Sequence, residues 1–207
     1  MSDKNCIFEE TLNEAKDTSE YIESMCFENE RVLGFDSSKI EFKDIKFTSC
    51  KFENCNFAKT SFYESSFDSC MFVSCNFDDS FWRNSSLTSC KMQGCYFNAS
   101  HIRDTVFVEC DLQYSVFNKA VFERIKFEKT NLHDASLSEL KLKNTVFHET
   151  DFSGADFFKT SLKGIDLSDC IIDGISVSDT LYELKGAKIH THQAATVATI
   201  LGMKIID

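Results

Sequence analysis

Phe42-Lys43-Asp44-Ile45-Lys46-Phe47-Thr48-Ser49-Cys50-Lys51-Phe52-Glu53-Asn54-Cys55-Asn56-Phe57 decides how the rest of the chain is read. A phenylalanine stands at every fifth position. The spacing runs on through Phe62, Phe67, Phe72, Phe77, Trp82, Leu87 and Met92 to Ile172 and Val177, always on a large apolar residue. Neither common element suits this step. In a helix five residues advance about 500°, so the apolar positions would wander round every side. In a strand an odd step alternates faces, so half of the rings would meet water. A chain that turns a corner every five residues, sending each fifth side chain to one axis, satisfies the pattern. That chain is a solenoid.

The cysteines set the size of one coil. Cys50, Cys70, Cys90 and Cys110 are twenty residues apart, as are Cys55, Cys75 and Cys95. Four sides of five residues would stack each set into a vertical ladder. All the cysteines except Cys6 and Cys26 stand two before a central apolar residue, where Thr60, Ser65, Ala120, Thr130, Ala135, Ala155 and Thr160 also occur. One large and one small residue then fill a narrow core at native density. The Cys-x4-Cys spacings also invite a metal or disulfide reading. Residues five apart fall on adjacent walls, however, and a buried thiol is a good small filler, so packing is the expected role. Ile125, Leu140, Ile165 and Ile175 at the small position predict local bulging of the wall.

At this point the chain resembles the pentapeptide-repeat proteins, on copies such as Ser153-Gly154-Ala155-Asp156-Phe157 and Asn118-Lys119-Ala120-Val121-Phe122. The resemblance implies an all-β fold, a right-handed quadrilateral β-helix. Residues 40–182 are expected to form it, as one elongated domain with no proline and few glycines to mark a linker. Residues 1–39, with ten acids and four bases in the first forty, are expected to be an acidic cap and an imperfect first coil. Phe8, Leu12 and Ala15 suggest a helix over residues 9–20. Ile22, Phe27 and Val32 already keep the register, which fails at Ser37, with Gly34 as the interruption. In residues 183–207, Thr191 is expected to cap a helix from His192 to about Leu201, stopped by Gly202, with Met203–Ile206 as a short strand. Ala194, Val197, Ala198 and Leu201 then form an uncovered apolar stripe that, with Met203 and Ile205, is expected to join two copies.

A net charge of −11 disfavours direct nucleic-acid binding. The lack of a long apolar run argues against a membrane span, and Met1–Cys6 is unlike a signal peptide, so a cytoplasmic protein is expected. No catalytic constellation, phosphate loop or cofactor motif emerges, and His190 and His192 lack a third metal ligand. The chain reads as a binding protein, not an enzyme. Charge divides unevenly around the coil. The face that starts at Glu41 sums to +2, and the next three to −3, −3 and −2. The edge shared by the second and third collects Glu109, Asp111, Glu128, Asp134, Glu149, Asp151, Asp166, Asp169 and Asp173. That edge is either ordinary solvated surface or a stripe for a basic protein groove.

The ending His192-Gln193-Ala194-Ala195, then Leu201-Gly202-Met203-Lys204-Ile205-Ile206, resembles that of the Qnr-type quinolone-resistance group. The resemblance implies a homodimer through the C-terminal segment. It also implies a rod that imitates DNA in shape, binds DNA gyrase or topoisomerase IV, and protects them from fluoroquinolones. Interrupting loops found in many members of that group are missing here. The alternatives are a scaffold for another cytoplasmic protein and resistance to a different topoisomerase poison. Shape is a better match to DNA than charge. Seven coils rise about 34 Å, over which DNA carries about 20 charges, against −6 on the coils.

Overall fold

Short strands form around one large apolar residue between two outward ones, as in Glu41–Lys43 and Lys46–Thr48, where only the central side chain is buried. Three residues cannot hold themselves extended, so each strand relies on the coil above and below. Phe42 pairs in parallel with Phe62, Phe47 with Phe67, and Phe52 with Phe72. The computed structural model, which describes residues 7–18 and 21–206, is a β-solenoid with twenty residues to the coil.

Two of the four faces are seven-stranded parallel sheets. One runs from Ile22–Glu23 to Lys141–Lys143 and the other from Cys26–Glu28 to Val146–His148. The third face has three strands, Arg31–Leu33, Lys51–Glu53 and Met71–Val73, and continues as single bridges from Met71↔Lys91 to Asp151↔Ile171. The fourth is bridged residue by residue from Asp36↔Asn56 to Asp156↔Ser176. A local hydrogen bond contributes at some of these positions. On the fourth face Asn56, Asn76 and Asp156 accept from the backbone N–H two residues on, at 3.1, 2.9 and 3.0 Å. Such turns draw the chain in before a strand of three can form.

Corners fall two residues after each central one, in the left-handed region, with φ of 51° at Asp44, 54° at Ser49 and 52° at Asn54. Asn and Asp tolerate this region best among residues with a Cβ. Gly34, with φ of +65°, occupies one such corner and does not interrupt the first coil. Val32 before it pairs with Phe52, and Asp36 after it bridges to Asn56. Ser37 is wholly buried at its central position.

The core is a set of ring stacks whose spacing follows the coil rise. Phe57, Phe77, Phe97 and Phe117 stand 4.9, 4.9 and 4.7 Å apart, nearly parallel. Trp82 lies over Phe62 at 4.2 Å, and its indole N–H donates to Ser80 Oγ at 2.9 Å. Of the large residues at the small position, Leu140 is followed by a half-buried central Leu142 and Ile175 by a half-buried Val177, whereas Phe127 and Leu167, after Ile125 and Ile165, stay buried. Thr145 Oγ1, nearby in sequence, has no hydrogen-bond partner.

Each end of the stack exposes core and needs a cover. At the N-terminal end this is helix α1, Ile7–Thr18, two residues earlier than expected; residues 19 and 20 of the expected helix lie outside the described residues. Its Phe8 ring packs against Phe27, Phe42, Phe47 and Phe52 at 5.1, 6.1, 5.5 and 5.3 Å. That ring supplies the aromatic bulk that Ser37 denies the first coil. At the other end pairing continues past Tyr182 with two extra residues in the coil, Asp166 bridging to Lys188. A 3-10 turn at Thr191–Gln193 then leads into α2, Ala194–Ile200.

Candidate interaction surfaces

The small inward position does more than fill space. Cys50, Cys90 and Cys110 each donate a thiol hydrogen to the carbonyl twenty-three residues earlier, at Phe27, Phe67 and Leu87, with S–O distances of 3.3, 3.5 and 3.4 Å. Ser115 and Thr130 do the same to Met92 and Phe107 at 2.8 and 3.5 Å. The donor reaches the carbonyl of the central residue in the coil below and so ties one coil to the next. Size alone suggested filler. The informative signal in the sequence is that Cys, Ser and Thr share an S–H or O–H. The nine described cysteines are free thiols, all buried except Cys26. Burial pushes the Cys170 thiol up to about 12, so it stays protonated and unreactive at neutral pH.

The predicted acidic edge keeps its place on the second and third faces, but most of its carboxylates have local work. Asp151 accepts from Ser153 N and Oγ at 2.8 and 2.6 Å, and Asp111 from Gln113 N at 3.3 Å and Gln93 Nε2 at 2.7 Å. Asp166 accepts from Ser168 N at 3.1 Å; the Ser168 hydroxyl and N–H hold its carboxyl below the usual range. Glu128 is paired with Lys126 Nζ at 2.5 Å, which depresses it likewise. His133 Nε2 lies 3.0 Å from Asp134. His148 stands between Glu149, at 3.3 Å, and Asp169, which it contacts through Nδ1. Thr196 of α2 donates to Asp173 at 2.9 Å. Among the nine, Glu109 alone has no recorded side-chain partner. The stripe is therefore less free than its spacing suggested, because an Asp just before the central residue is also what a tight turn requires.

The C-terminal segment differs from expectation in two respects. Thr191 is not the cap. His190 Nδ1 accepts from His192 N, and Gln193 Oε1 takes the N–H of His190 at 2.7 Å. Gln193 is buried, and its Nε2 donates to Leu167 O and Cys170 O at 2.8 and 2.7 Å, tying the helix to the last coil. Nor is the whole stripe uncovered. Val197 and Ile200 pack against the chain's own core, and Ala194 is exposed. Leu201, Met203 and Ile205 are 48, 60 and 56% exposed. Met203–Ile206 pair with no strand among the described residues.

Glu183, missed in the sequence, is wholly buried beneath this end. It accepts from Lys159 N and Ser178 Oγ, each at 2.9 Å. Burial alone would raise its pKa, but these donors and its own N–H outweigh that and hold it below the usual range. Its position in a tail with no repeat pattern hid it.

Among the described residues no group of three or more His, Cys, Asp or Glu is placed to hold a metal, and no helix is long and apolar enough to cross a membrane. His190 and His192 bring their Nδ1 atoms within 2.7 Å of each other.

No curated protein matches this chain. Among solved structures it resembles a trypsin-treated variant of QnrB1, a plasmid-mediated fluoroquinolone resistance protein, at 18% identity. That match has a TM-score of 0.54 and covers 88% of this chain and 99% of the other. HetL, a pentapeptide repeat protein involved in heterocyst differentiation regulation from the cyanobacterium Nostoc sp. strain PCC 7120, matches at 13% identity and a TM-score of 0.38, covering 86% and 92%. The pentapeptide repeats profile, in eight copies, matches residues 40–79, and the pentapeptide repeat region profile matches residues 80–157. With those repeats wound into a twenty-residue coil, the chain belongs to the pentapeptide repeat proteins, which are generally non-catalytic scaffolds.

Proposed function

We propose that this protein is a non-catalytic rod that binds a type II topoisomerase, DNA gyrase or topoisomerase IV, and protects it from fluoroquinolones. The observation that carries the reading is the coexistence in one chain of an uninterrupted pentapeptide rod and the Gln193-Ala194, Leu201-Gly202, Ile205-Ile206 ending. That ending leaves Leu201, Met203 and Ile205 uncovered at the end of the rod. Two copies meet there, tail to tail, and roughly double the length offered to the enzyme. The acidic edge provides the contact, through shape and a few carboxylates, since its charge density falls short of DNA. Supercoiling by purified gyrase, with and without ciprofloxacin, tests the reading. Added protein should restore supercoiling in the presence of drug, and expression should raise the ciprofloxacin minimum inhibitory concentration in a susceptible bacterium.

A second reading has its own support. Most carboxylates of the edge are held in turns or ion pairs, which suits a scaffold for another protein. An inert result in the gyrase assay, with the protein folded and dimeric, favours it.

A further inference from the structure

Arg83 is an exposed cation that makes no hydrogen bond or ion pair among the described residues. Strand register sets it directly across the ladder from a second arginine, Arg103, at about 4.8 Å. Like charges that face each other in this way weaken a sheet. Arg103 engages only its Nε, which lies 3.2 Å from Asp104 and 3.9 Å from Glu123, and its two terminal nitrogens have no partner among the described residues. Both carboxylates are taken by Arg124, at 2.5 Å each, which holds them below their usual range. Three guanidinium groups against two carboxylates leave the cluster at +1, and the surplus charge sits at Arg83. An apolar shelf adjoins it. Tyr63 stands across the ladder from Arg83 on the opposite side from Arg103, and Phe81 comes two residues earlier on the same strand. Their half-buried rings lie 5.6 Å apart. Glu64, at the neighbouring corner, and His101, across from Phe81, border the cluster.

We propose that Arg83 and Arg103 clamp a phosphotyrosine of a partner protein, with the phosphate between the two guanidinium groups and the ring on Tyr63 and Phe81. Charge selects the phosphate. A carboxylate has two oxygens and fills one guanidinium fork, whereas a phosphate presents three oxygens and nearly two negative charges, enough to meet both arginines. Its arrival replaces a like-charge contact across the ladder with two attractive ones. The shelf selects the carrier. Phosphotyrosine bears the dianion and the ring on one side chain, so the match asks nothing of the conformation of the segment around it. The shape of the surface selects a macromolecule. Small ligands are held in concave sites, and these four side chains stand on the outward side of a parallel sheet, where a segment of a protein can lie across them. Recognition of phosphorylated motifs by clustered arginines is a general mode of this kind.

The surface lies on a different face from the acidic edge and rests on neither functional reading. The probe is a short fluorescein-labelled peptide with uncharged flanks and a central phosphotyrosine. Fluorescence anisotropy at low salt compares it with the same peptide carrying tyrosine or phosphoserine, and inorganic phosphate and adenosine monophosphate serve as competitors. The phosphotyrosine peptide should bind at least about tenfold more tightly than the tyrosine peptide, and at least about threefold more tightly than the phosphoserine peptide. Unlabelled phosphotyrosine peptide should displace it at lower concentration than either competitor. Arg83→Gln should weaken binding by about tenfold or more without lowering the melting temperature, since Arg83 has no partner within the chain. Added salt should weaken binding too. Equal binding of the phosphotyrosine and tyrosine peptides, or indifference to Arg83→Gln, would overturn the clamp. Equal binding of the phosphoserine peptide would remove the shelf and with it the tyrosine. Inorganic phosphate competing as well as the peptide would reduce the site to a general anion patch, and stronger competition by adenosine monophosphate would make the ligand a nucleotide. Should Arg83→Gln melt early, Arg83→Lys, which keeps the charge and loses the fork, repeats the test. In the gyrase assay Arg83→Gln should protect as the parent does, which keeps failure of one reading distinct from failure of the other.

Discussion

Phe107 shows what a single position contributes. Its ring is 1% exposed and stacks on Phe127 at 4.8 Å, in a core too narrow for water. Phe107→Asp buries a carboxylate without a partner and removes one ring from a continuous stack, so it should cost at least about 3 kcal/mol. Circular dichroism should show a much earlier melt; an unchanged melting temperature would disprove the inward assignment. The five-residue period made this position legible from sequence. The donor role of the small position was not legible, because it depends on which carbonyl of the coil below lies within reach of the side chain.

Among elements, the two caps show how differently local signals travel. Helix α1 was readable from Phe8, Leu12 and Ala15, but the insertion of Phe8 among four rings of other coils was not. At the C-terminal end, Glu183 and Gln193 anchor a segment with no repeat to announce it. Glu183 offers a pH test. Its folded pKa lies below the unfolded value of about 4.3, so its contribution is fully present above that value and is lost as pH falls through the folded one. Thermal melts taken from pH 7 down to about pH 3 should show the last coil loosening in acid, and Glu183→Gln should flatten that part of the dependence. An identical acid response in the variant would remove Glu183 from the account.

On the scale of the whole molecule, the dimer and the acidic edge can be tested separately. Leu201 is half exposed and lies past the helix residues that cover the core. Leu201→Asp should give a folded monomer by ultracentrifugation, and a variant that stays dimeric at micromolar concentration would place the interface elsewhere. For the edge, lysine suits Glu109 and Glu149, whose side chains anchor no turn. Asparagine suits Asp111 and Asp151, where it keeps the oxygen that Gln113 N and Ser153 N require. This fourfold variant should lose topoisomerase protection without lowering the melting temperature. Four substitutions on the mixed face, at Arg83, Arg103, Lys143 and Lys163, should matter much less to protection. Equal loss from both sets would show that the effect is not specific to the acidic edge.

The sequence by itself determined the coil. A large apolar residue at every fifth position and a small one two before it admit one solution, since any other chain path would expose half of the rings or bury polar corners. The period also dictated which residues share a face, because stacking in steps of twenty carries a one-dimensional pattern directly into space. Only the tertiary structure decided what each outward residue is free to do. Whether an Asp ties a turn or meets solvent, whether an Arg is paired or alone, and which part of α2 the last coil covers depend on neighbours twenty or more residues away. Their distances are set by side-chain reach across coils, which no five-residue period encodes.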